Sequence, residues 1–121
     1  MVELAVGLGL RSGTPADSIV EAVRKTLGDN EISCLATIDR RMDEPGLRDA
    51  AAELGVPIQG YAAAELADVA VPNPDSRTAA AVGTGSVAEA AAILAAGHGT
   101  LVITKRIVAG LTIAVAQRAP G

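Results

Sequence analysis

The residues most suggestive of chemistry lie in the stretch GLGLRSGTP, residues 7–15, directly after an apolar run. Glycines let a backbone approach a ligand closely. An arginine beside the free N–H groups at the start of a helix is a good receptor for a carboxylate or a phosphate. We therefore assign Gly9, Arg11, Gly13 and Thr14 to the binding of an anionic ligand. The structural alternative is a glycine corner that only joins a strand to a helix.

The carboxylates best placed for acid–base chemistry are Asp39 and Glu44, which follow the apolar run 32–38. A carboxylate in such a turn can transfer a proton or orient a water molecule. Thr37, from the same region, joins the candidate ligand-binding residues. In the structural alternative, Asp39 holds the turn and Glu44 favours the positive end of the helix that follows.

Two further ligand-binding candidates are Ser86 and Lys105. Residues 86–89, SVAE, have the spacing of a capping box, in which the serine and glutamate side chains accept backbone N–H groups at a helix start. A helix start is a second point at which an anion can bind. Lys105 lies near the end of a strand, where it either reaches a pocket or protects a sheet edge. His98, between two glycines, is expected in an exposed loop.

Composition excludes several function classes. The net charge is −4 and aromatic residues make up 1% of the 121 residues, whereas nucleic-acid-binding proteins need a basic face and often aromatic platforms. No spacing of His, Cys and carboxylates suits a metal, and neither a metal nor a cofactor is expected. The absence of a leader or a long apolar run, together with the single Cys34, favours a cytoplasmic protein without membrane contact. Residues 101–121 nevertheless hold three basic residues and no acid.

The elements that must position these residues alternate between strand and helix. Apolar runs predict strands over 2–6, 32–38, 101–104 and 111–116, and a short third strand that begins with residues 56–58. Helical spacing predicts helices over 15–27, 43–54, 62–67 and 86–96. Thr14 is the predicted N-cap of the first helix, Cys34 a buried apolar residue, and segment 71–74 is expected to be extended because of its prolines.

This order predicts an α/β fold, a three-layer sandwich with a mostly parallel sheet of about five strands and an antiparallel C-terminal hairpin. Residues 1–121 are expected to form a single domain. Such folds bind ligands beyond the carboxyl ends of their strands. We therefore expect the turns 7–14 and 37–44 and the helix start at Ser86 to converge there.

Four stretches in order resemble one known family: GLGLRSGT (7–14), ATID with DEPGL (36–39 and 43–47), VPNP (71–74) and VGTGSVAEAAA (82–92). They are similar to the cobalamin-biosynthesis family that comprises CobE and the carboxy-terminal domain of CbiG. The resemblance implies a role in building the corrin ring. In longer CbiG proteins this domain follows other segments, and the whole protein opens a lactone on a cobalt-precorrin, releasing acetaldehyde. We expect a free-standing domain more like CobE. Members commonly carry cysteine where this chain has Leu10, so a thiol is not required here.

The first functional hypothesis is a protein that binds a precorrin-type tetrapyrrole across the strand ends, either assisting hydrolytic lactone opening or handing the intermediate on. Arg11 and Lys105 would bind the carboxylates of the ring, and any cobalt would belong to the ligand. The second is a non-catalytic module that docks on another enzyme of the pathway, with a homodimer also allowed by the alanine-rich faces. Nucleotide binding is disfavoured, because the glycine spacing of residues 7–13 departs from the dinucleotide motif.

Overall fold

A computed structural model describes residues 3–28, 30–69 and 84–118, so the predicted extended segment 71–74 lies outside the described residues. The strands are β1 (Leu4–Gly9), β2 (Cys34–Ile38), β3 (Ile58–Tyr61), β4 (Thr100–Val108) and β5 (Leu111–Gln117). The helices are α1 (Ala16–Leu27), α2 (Pro45–Leu54), α3 (Ala63–Ala67) and α4 (Thr84–Ala95), with a 3₁₀ turn over Asp39–Arg41.

The described strands form one sheet in the order β3-β2-β1-β5-β4. Strands β1, β2 and β3 pair in parallel, and β5 is antiparallel to both of its neighbours, β1 and β4. Four of these five strands therefore run in the same direction. This confirms the predicted α/β class, the mostly parallel sheet and the antiparallel C-terminal hairpin. The hairpin enters the sheet with β5 beside β1, which leaves β4 at the edge.

Helices cover both faces of the sheet, which gives the three predicted layers. Helices α1 and α2 pack against the larger side chains of the strands, namely Val6, Leu8, Leu35, Ile113 and Val115. Helices α3 and α4 pack against the opposite face, where the strands present smaller residues such as Ala5, Cys34, Ala36 and Ala116. Buried Cys34 is an apolar core residue, as predicted. Because both partners are small, α4 lies close to the sheet.

Gly7 marks the closest approach of α4 to β1. A Cβ atom added at Gly7 would overlap the carbonyl oxygen of Ala88 and lie 2.7 Å from the backbone nitrogen of Ala92. Gly7 and Gly9 both belong to β1, where Gly9 pairs with Thr112. The prediction that all the glycines of residues 7–13 form a turn is therefore wrong. The first glycines serve helix packing and strand pairing, and only Gly13, with a φ of 81°, lies in the turn.

Two predicted helix starts are also wrong. Helix α1 has Pro15 as its N-cap, and the hydroxyl of Thr14 donates to the carbonyl of Arg11 at 2.7 Å instead of capping the helix. Helix α4 begins at Thr84, so Ser86 is its third residue and not its N-cap. The partner expected for that capping box, Glu89, binds the backbone of β4. At Thr14, a hydrogen bond within the turn after β1 replaces the expected cap.

The outer strand β4 is longer than predicted because its later residues do not form an apolar run. Residues 104–107 are all exposed at the edge of the sheet, so the polar side chains of Thr104, Lys105 and Arg106 are compatible with a strand. Strand β3 forms the other edge, a position that is compatible with the proline at position 57.

Candidate functional site

The candidate site is the carboxyl edge, defined as the end of the sheet where β1, β2 and β3 finish and the β4–β5 turn lies. Helix α4 begins at this end, because its residue Ala90 clusters with Ile38 near the end of β2, whereas its later residue Ala92 clusters with Ala5 near the start of β1. The helix start containing Ser86 therefore points toward the carboxyl edge. This is the arrangement in which doubly wound folds bind ligands.

The turns after β1 and β2 converge, as predicted. The N–H of Gly13 donates to Oε1 of Glu44 at 2.9 Å. A Cβ atom added at Gly46 would overlap the carbonyl oxygen of Thr14, so the start of α2 lies directly against the first turn. Oε2 of Glu44 accepts a hydrogen bond from Nη1 of Arg41 at 3.5 Å. The Glu44 side chain, 14% exposed, thereby joins the two turns.

The first turn is arranged so that Arg11 faces solvent. The hydroxyl of Thr14 donates to the carbonyl of Arg11 and accepts from the Arg11 N–H at 3.3 Å, which closes the turn. Leu10, immediately before, is 5% exposed and packs in the larger core. The Leu10 side chain is thus anchored in the core, while the Arg11 side chain is exposed. The predicted binding arginine is available for a ligand at this edge.

Thr37 and Gly9 contribute to the framework of the site. Thr37 is fully buried and its hydroxyl donates to the carbonyl of Leu8 at 2.8 Å, which links β2 to β1. Because that hydroxyl is already bound inside the sheet, we leave Thr37 out of the ligand-binding set proposed below. Gly9 is buried in the pairing between β1 and β5. The first of the predicted carboxylates, Asp39, is exposed and begins the 3₁₀ turn after β2.

The basic side chains of the described residues fall into two groups. Five lie within 4 Å of a carboxylate: Arg24, Lys25, Arg41, Arg48 and Arg118. The other four form no ion pair with any described residue and are all exposed: Arg11, Arg40, Lys105 and Arg106. We call these four residues the basic edge.

All four members of the basic edge lie toward the same end of the sheet. Arg11 and Arg40 closely follow β1 and β2. Arg106 pairs with Ile113, which in turn pairs with Leu8 near the end of β1. From β2 to β4 there are three strand spacings, or about 14 Å. A mildly positive surface of this width therefore crosses one end of an acidic chain.

Sequence reasoning found Arg11 and Lys105 but missed Arg40 and Arg106. A signal for Arg106 was present in the basic, acid-free C-terminal residues, and Arg40 directly follows a candidate carboxylate. Neither signal distinguishes a paired arginine from an unpaired one. That distinction depends on contacts between elements that only the fold supplies.

Lys105 has a second feature, at its backbone. Its N–H donates to Oε2 of Glu89 in α4 at 3.0 Å, and Glu89 is fully buried. The prediction that Lys105 lies near a strand end is modified, because β4 continues to Val108. His98 is exposed after α4, as predicted, with a φ of 61°.

Other features do not compete with the carboxyl edge. A groove of about 440 Å³ lies between α1 and α2, but four of its charged residues pair with each other, Arg24 with Glu53 and Lys25 with Glu21. In residues 3–28, 30–69 and 84–118, no three His, Cys, Asp or Glu side chains are grouped as a metal would require. Within the same part of the chain, none of the helices has the length and apolar character needed to cross a membrane.

Comparison with known proteins adds independent information. Residues 4–116 match the family described as cobalamin synthesis G C-terminus. The chain is 33% identical over 118 residues to a cobalt-precorrin-5A hydrolase of Priestia megaterium, covering 93% of this chain and 32% of that protein. It is 34% identical over 112 residues to a protein CobE of Sinorhizobium sp., covering 87% and 73% of the two. It thus spans about a third of the first relative's length and about three quarters of the second's.

Among solved structures, the crystal structure of a CobE from the cobalamin pathway is similar with a TM-score of 0.81 and 35% identity. The match covers 96% of this chain and 90% of the CobE chain. The fold described above is therefore shared over nearly the whole length of both.

Proposed function

The chain belongs to the family of CobE and the CbiG carboxy-terminal domain, a family of cobalamin biosynthesis, and from this membership we propose that it binds a precorrin-type tetrapyrrole at the carboxyl edge. The ring's acetate and propionate groups would meet the basic edge. The observation that carries the proposal is the segregation of the unpaired cations. Every basic side chain that lacks an ion pair among the described residues lies toward this one end of the sheet.

The geometry suits a broad, flat anion with an apolar centre. Arg11 follows β1 and Arg106 lies on β4, and β5 separates these two strands, so the two cations would contact carboxylates at different points on the rim. Ile107, between Arg106 and the hairpin turn, is 82% exposed and offers apolar surface for the macrocycle. The backbone N–H groups at the start of α4 would add a peripheral polar contact.

Contacts between charged groups supply only part of the free energy of binding. Hydrogen bonds that involve charged groups contribute about 1.5–3 kcal/mol each, so two or three supply about 3–9 kcal/mol before the entropy of association is subtracted. A dissociation constant of about 1 μM corresponds to about 8 kcal/mol. Ionic contacts alone therefore fall short of tight binding, and burial of the apolar ring must contribute the remainder.

If the chain also acts as a hydrolase, we propose Asp39 as the proton-transfer group. A water oxygen would attack the lactone acyl carbon while Asp39 accepts its proton, and the acyl–oxygen bond would break as the leaving oxygen takes a proton back. Asp39 is exposed at the strand end, whereas Glu44 already accepts hydrogen bonds from Gly13 and Arg41. We therefore assign Glu44 to holding the turn that carries Arg11. The alternative outcome is a carrier that binds the intermediate without turnover.

A second candidate function is docking on another enzyme of the pathway, without catalysis. Its support is the edge strand β4, which carries two exposed large apolar residues, Val102 at 48% and Ile107 at 82%. A pull-down with corrin-ring methyltransferases distinguishes the two candidates. Association that survives Arg11→Ala favours docking, because that variant should abolish only the ligand contact.

The test of the first candidate uses a matched pair of stable corrins. Cobyrinic acid carries free carboxylates, and cobinamide carries amides at the same positions. We expect spectroscopic titration to show micromolar binding of cobyrinic acid and much weaker binding of cobinamide. Arg11→Ala and Arg40→Ala should each weaken binding about tenfold or more. Arg118→Ala, at the opposite end of the sheet, is the control and should have no effect. Equal affinity for the two corrins would contradict the proposal.

A further inference from the structure

Glu89 is a carboxylate that lies among the buried alanines of α4. Glu89 is fully buried in the middle of α4, and the residues on either side of it, Ala88 and Ala90, are also buried. A buried carboxylate is costly unless hydrogen bonds satisfy it. Oε2 of Glu89 accepts the backbone N–H of Lys105 at 3.0 Å. The side chain thus connects α4 to the edge strand at one specific residue.

Lys105 lies at an irregularity of β4. Ile103 pairs with Val115 and Arg106 pairs with Ile113, so three steps along β4 correspond to two steps along β5. One extra residue is therefore inserted in β4, which is the definition of a β-bulge. At a bulge a backbone group leaves the regular ladder. The carboxylate of Glu89 supplies an acceptor for the N–H of Lys105 at this point.

The bulge changes which side chains are exposed. From Leu101 to Ile103 the register also shifts by one residue, but the side chains there still alternate between half-buried and exposed. After the bulge, residues 104–107 are exposed in succession. Lys105 and Arg106 are therefore both available at the carboxyl edge, although regular alternation would have turned one of them toward the covered face.

We propose that Glu89 is a positioning residue for the ligand site: its buried carboxylate holds the bulge of β4 and so presents Lys105 and Arg106 together. Glu89 does not touch the ligand. The identity of what the two cations bind rests on the function proposed above. The connection between Glu89 and the bulge does not depend on that function, and the experiment separates the two.

The first measurement is hydrogen exchange at the Lys105 amide, followed by NMR without any ligand. Glu89→Leu removes the acceptor, and we expect exchange of this amide to accelerate by about tenfold or more relative to the neighbouring strand amides. Glu89→Gln keeps one acceptor oxygen of the same reach and should restore most of the protection. An unchanged Lys105 amide in Glu89→Leu would overturn the inference.

The second measurement is a double-mutant cycle on cobyrinic acid affinity. Glu89→Leu should weaken binding as much as the Lys105→Ala/Arg106→Ala variant does, and combining all three changes should weaken it no further, because they act on one contact. Full additivity would contradict a role through these cations. If the wild-type protein does not bind cobyrinic acid, the proposed function fails, while the amide exchange still decides the role of Glu89.

A complementary variant removes the donor instead of the acceptor, and serves if Glu89→Leu does not fold. Lys105→Pro eliminates the backbone N–H and leaves Glu89 in place, at an edge strand that tolerates proline. Lys105→Ala is its matched control, since both lose the lysine side chain. We expect Lys105→Pro to bind cobyrinic acid several-fold more weakly than Lys105→Ala, because Arg106 is displaced as well. Equal affinities of the two variants would overturn the inference.

Discussion

Replacing Gly7 in β1 with alanine should destabilise the protein more than replacing Gly13 in the turn that follows. The added Cβ would overlap the carbonyl oxygen of Ala88 and lie 2.7 Å from the Ala92 nitrogen. Both are backbone atoms of α4, which cannot rotate aside as a side chain can. Helix α4 as a whole must therefore move. Overpacking typically costs 1–3 kcal/mol, so we expect a loss of about 3 kcal/mol in the free energy of unfolding.

Gly13→Ala provides the matched comparison because its cost has a different origin. Gly13 has a φ of 81°, but an added Cβ meets no heavy atom within 4 Å. The expected loss is the left-handed backbone penalty alone, about 1–2 kcal/mol. Urea unfolding followed by circular dichroism measures both. With a slope of about 1.5 kcal/mol per M, Gly7→Ala should lower the midpoint by about 2 M. A Gly7→Ala variant that is more stable than Gly13→Ala would refute the close packing of α4 on β1.

Two further predictions concern the hairpin turn and the buried thiol. Ala109 has a φ of 53° in the β4–β5 turn, a conformation that favours glycine. Ala109→Gly should therefore raise the free energy of unfolding by about 0.5–1 kcal/mol, as measured by urea unfolding. The control Ala52→Gly, in helix α2, should lower it by a similar amount. A loss of stability in Ala109→Gly would contradict the turn geometry. Burial raises the pKa of the Cys34 thiol above its ordinary 9.0. The protonated Cys34 thiol therefore makes its full contribution to the free energy of unfolding below about pH 9. That contribution is lost as the pH rises through the folded-state pKa, by up to about 1.4 kcal/mol per pH unit. Cys34→Ala should flatten that decline, and an identical alkaline slope in both proteins would refute the assignment.

The features that sequence predicted well are those that depend on local periodicity. The buried strands and the apolar faces of α1 and α2 follow directly from the spacing of Val, Leu, Ile and Ala. Helices α1 and α2 end at Leu27 and Leu54 as predicted, with Gly28 and Gly55 as their C-caps. The convergence of the first two turns also followed from general rules, because the carboxyl ends of parallel strands share an edge.

The errors arose where a local rule competed with a distant partner. Residues 86–89 satisfy the capping-box pattern, yet the glutamate binds Lys105, which is 16 residues away on another element. The carboxylate of Glu44 likewise binds Gly13, 31 residues earlier in the chain. No pattern within a helix reveals such partners. Gly7 was assigned to a turn because glycine is common there, whereas its reason is a helix backbone that packs against it.

The candidate site was predictable in position but not in composition. A glycine-containing turn with an arginine indicated the end of the sheet toward which the unpaired cations of the described residues lie. Which cations are free to bind a ligand depends on where every carboxylate lies, and Arg41 is an example of an arginine next to the site that is already paired. Sequence order alone therefore could not identify Arg40 and Arg106 as members of the basic edge.

The most direct test of tetrapyrrole binding is an NMR titration of the protein with cobyrinic acid, in which the backbone amides report the position of the ligand. We expect the largest shift changes at residues 10–13, 39–41 and 105–107, and little change in the α1–α2 groove around Val20 and Arg24. The same titration with cobinamide should leave the carboxyl edge nearly unchanged. Shift changes confined to other surfaces, or none at all at ligand concentrations well above micromolar, would contradict the proposed site.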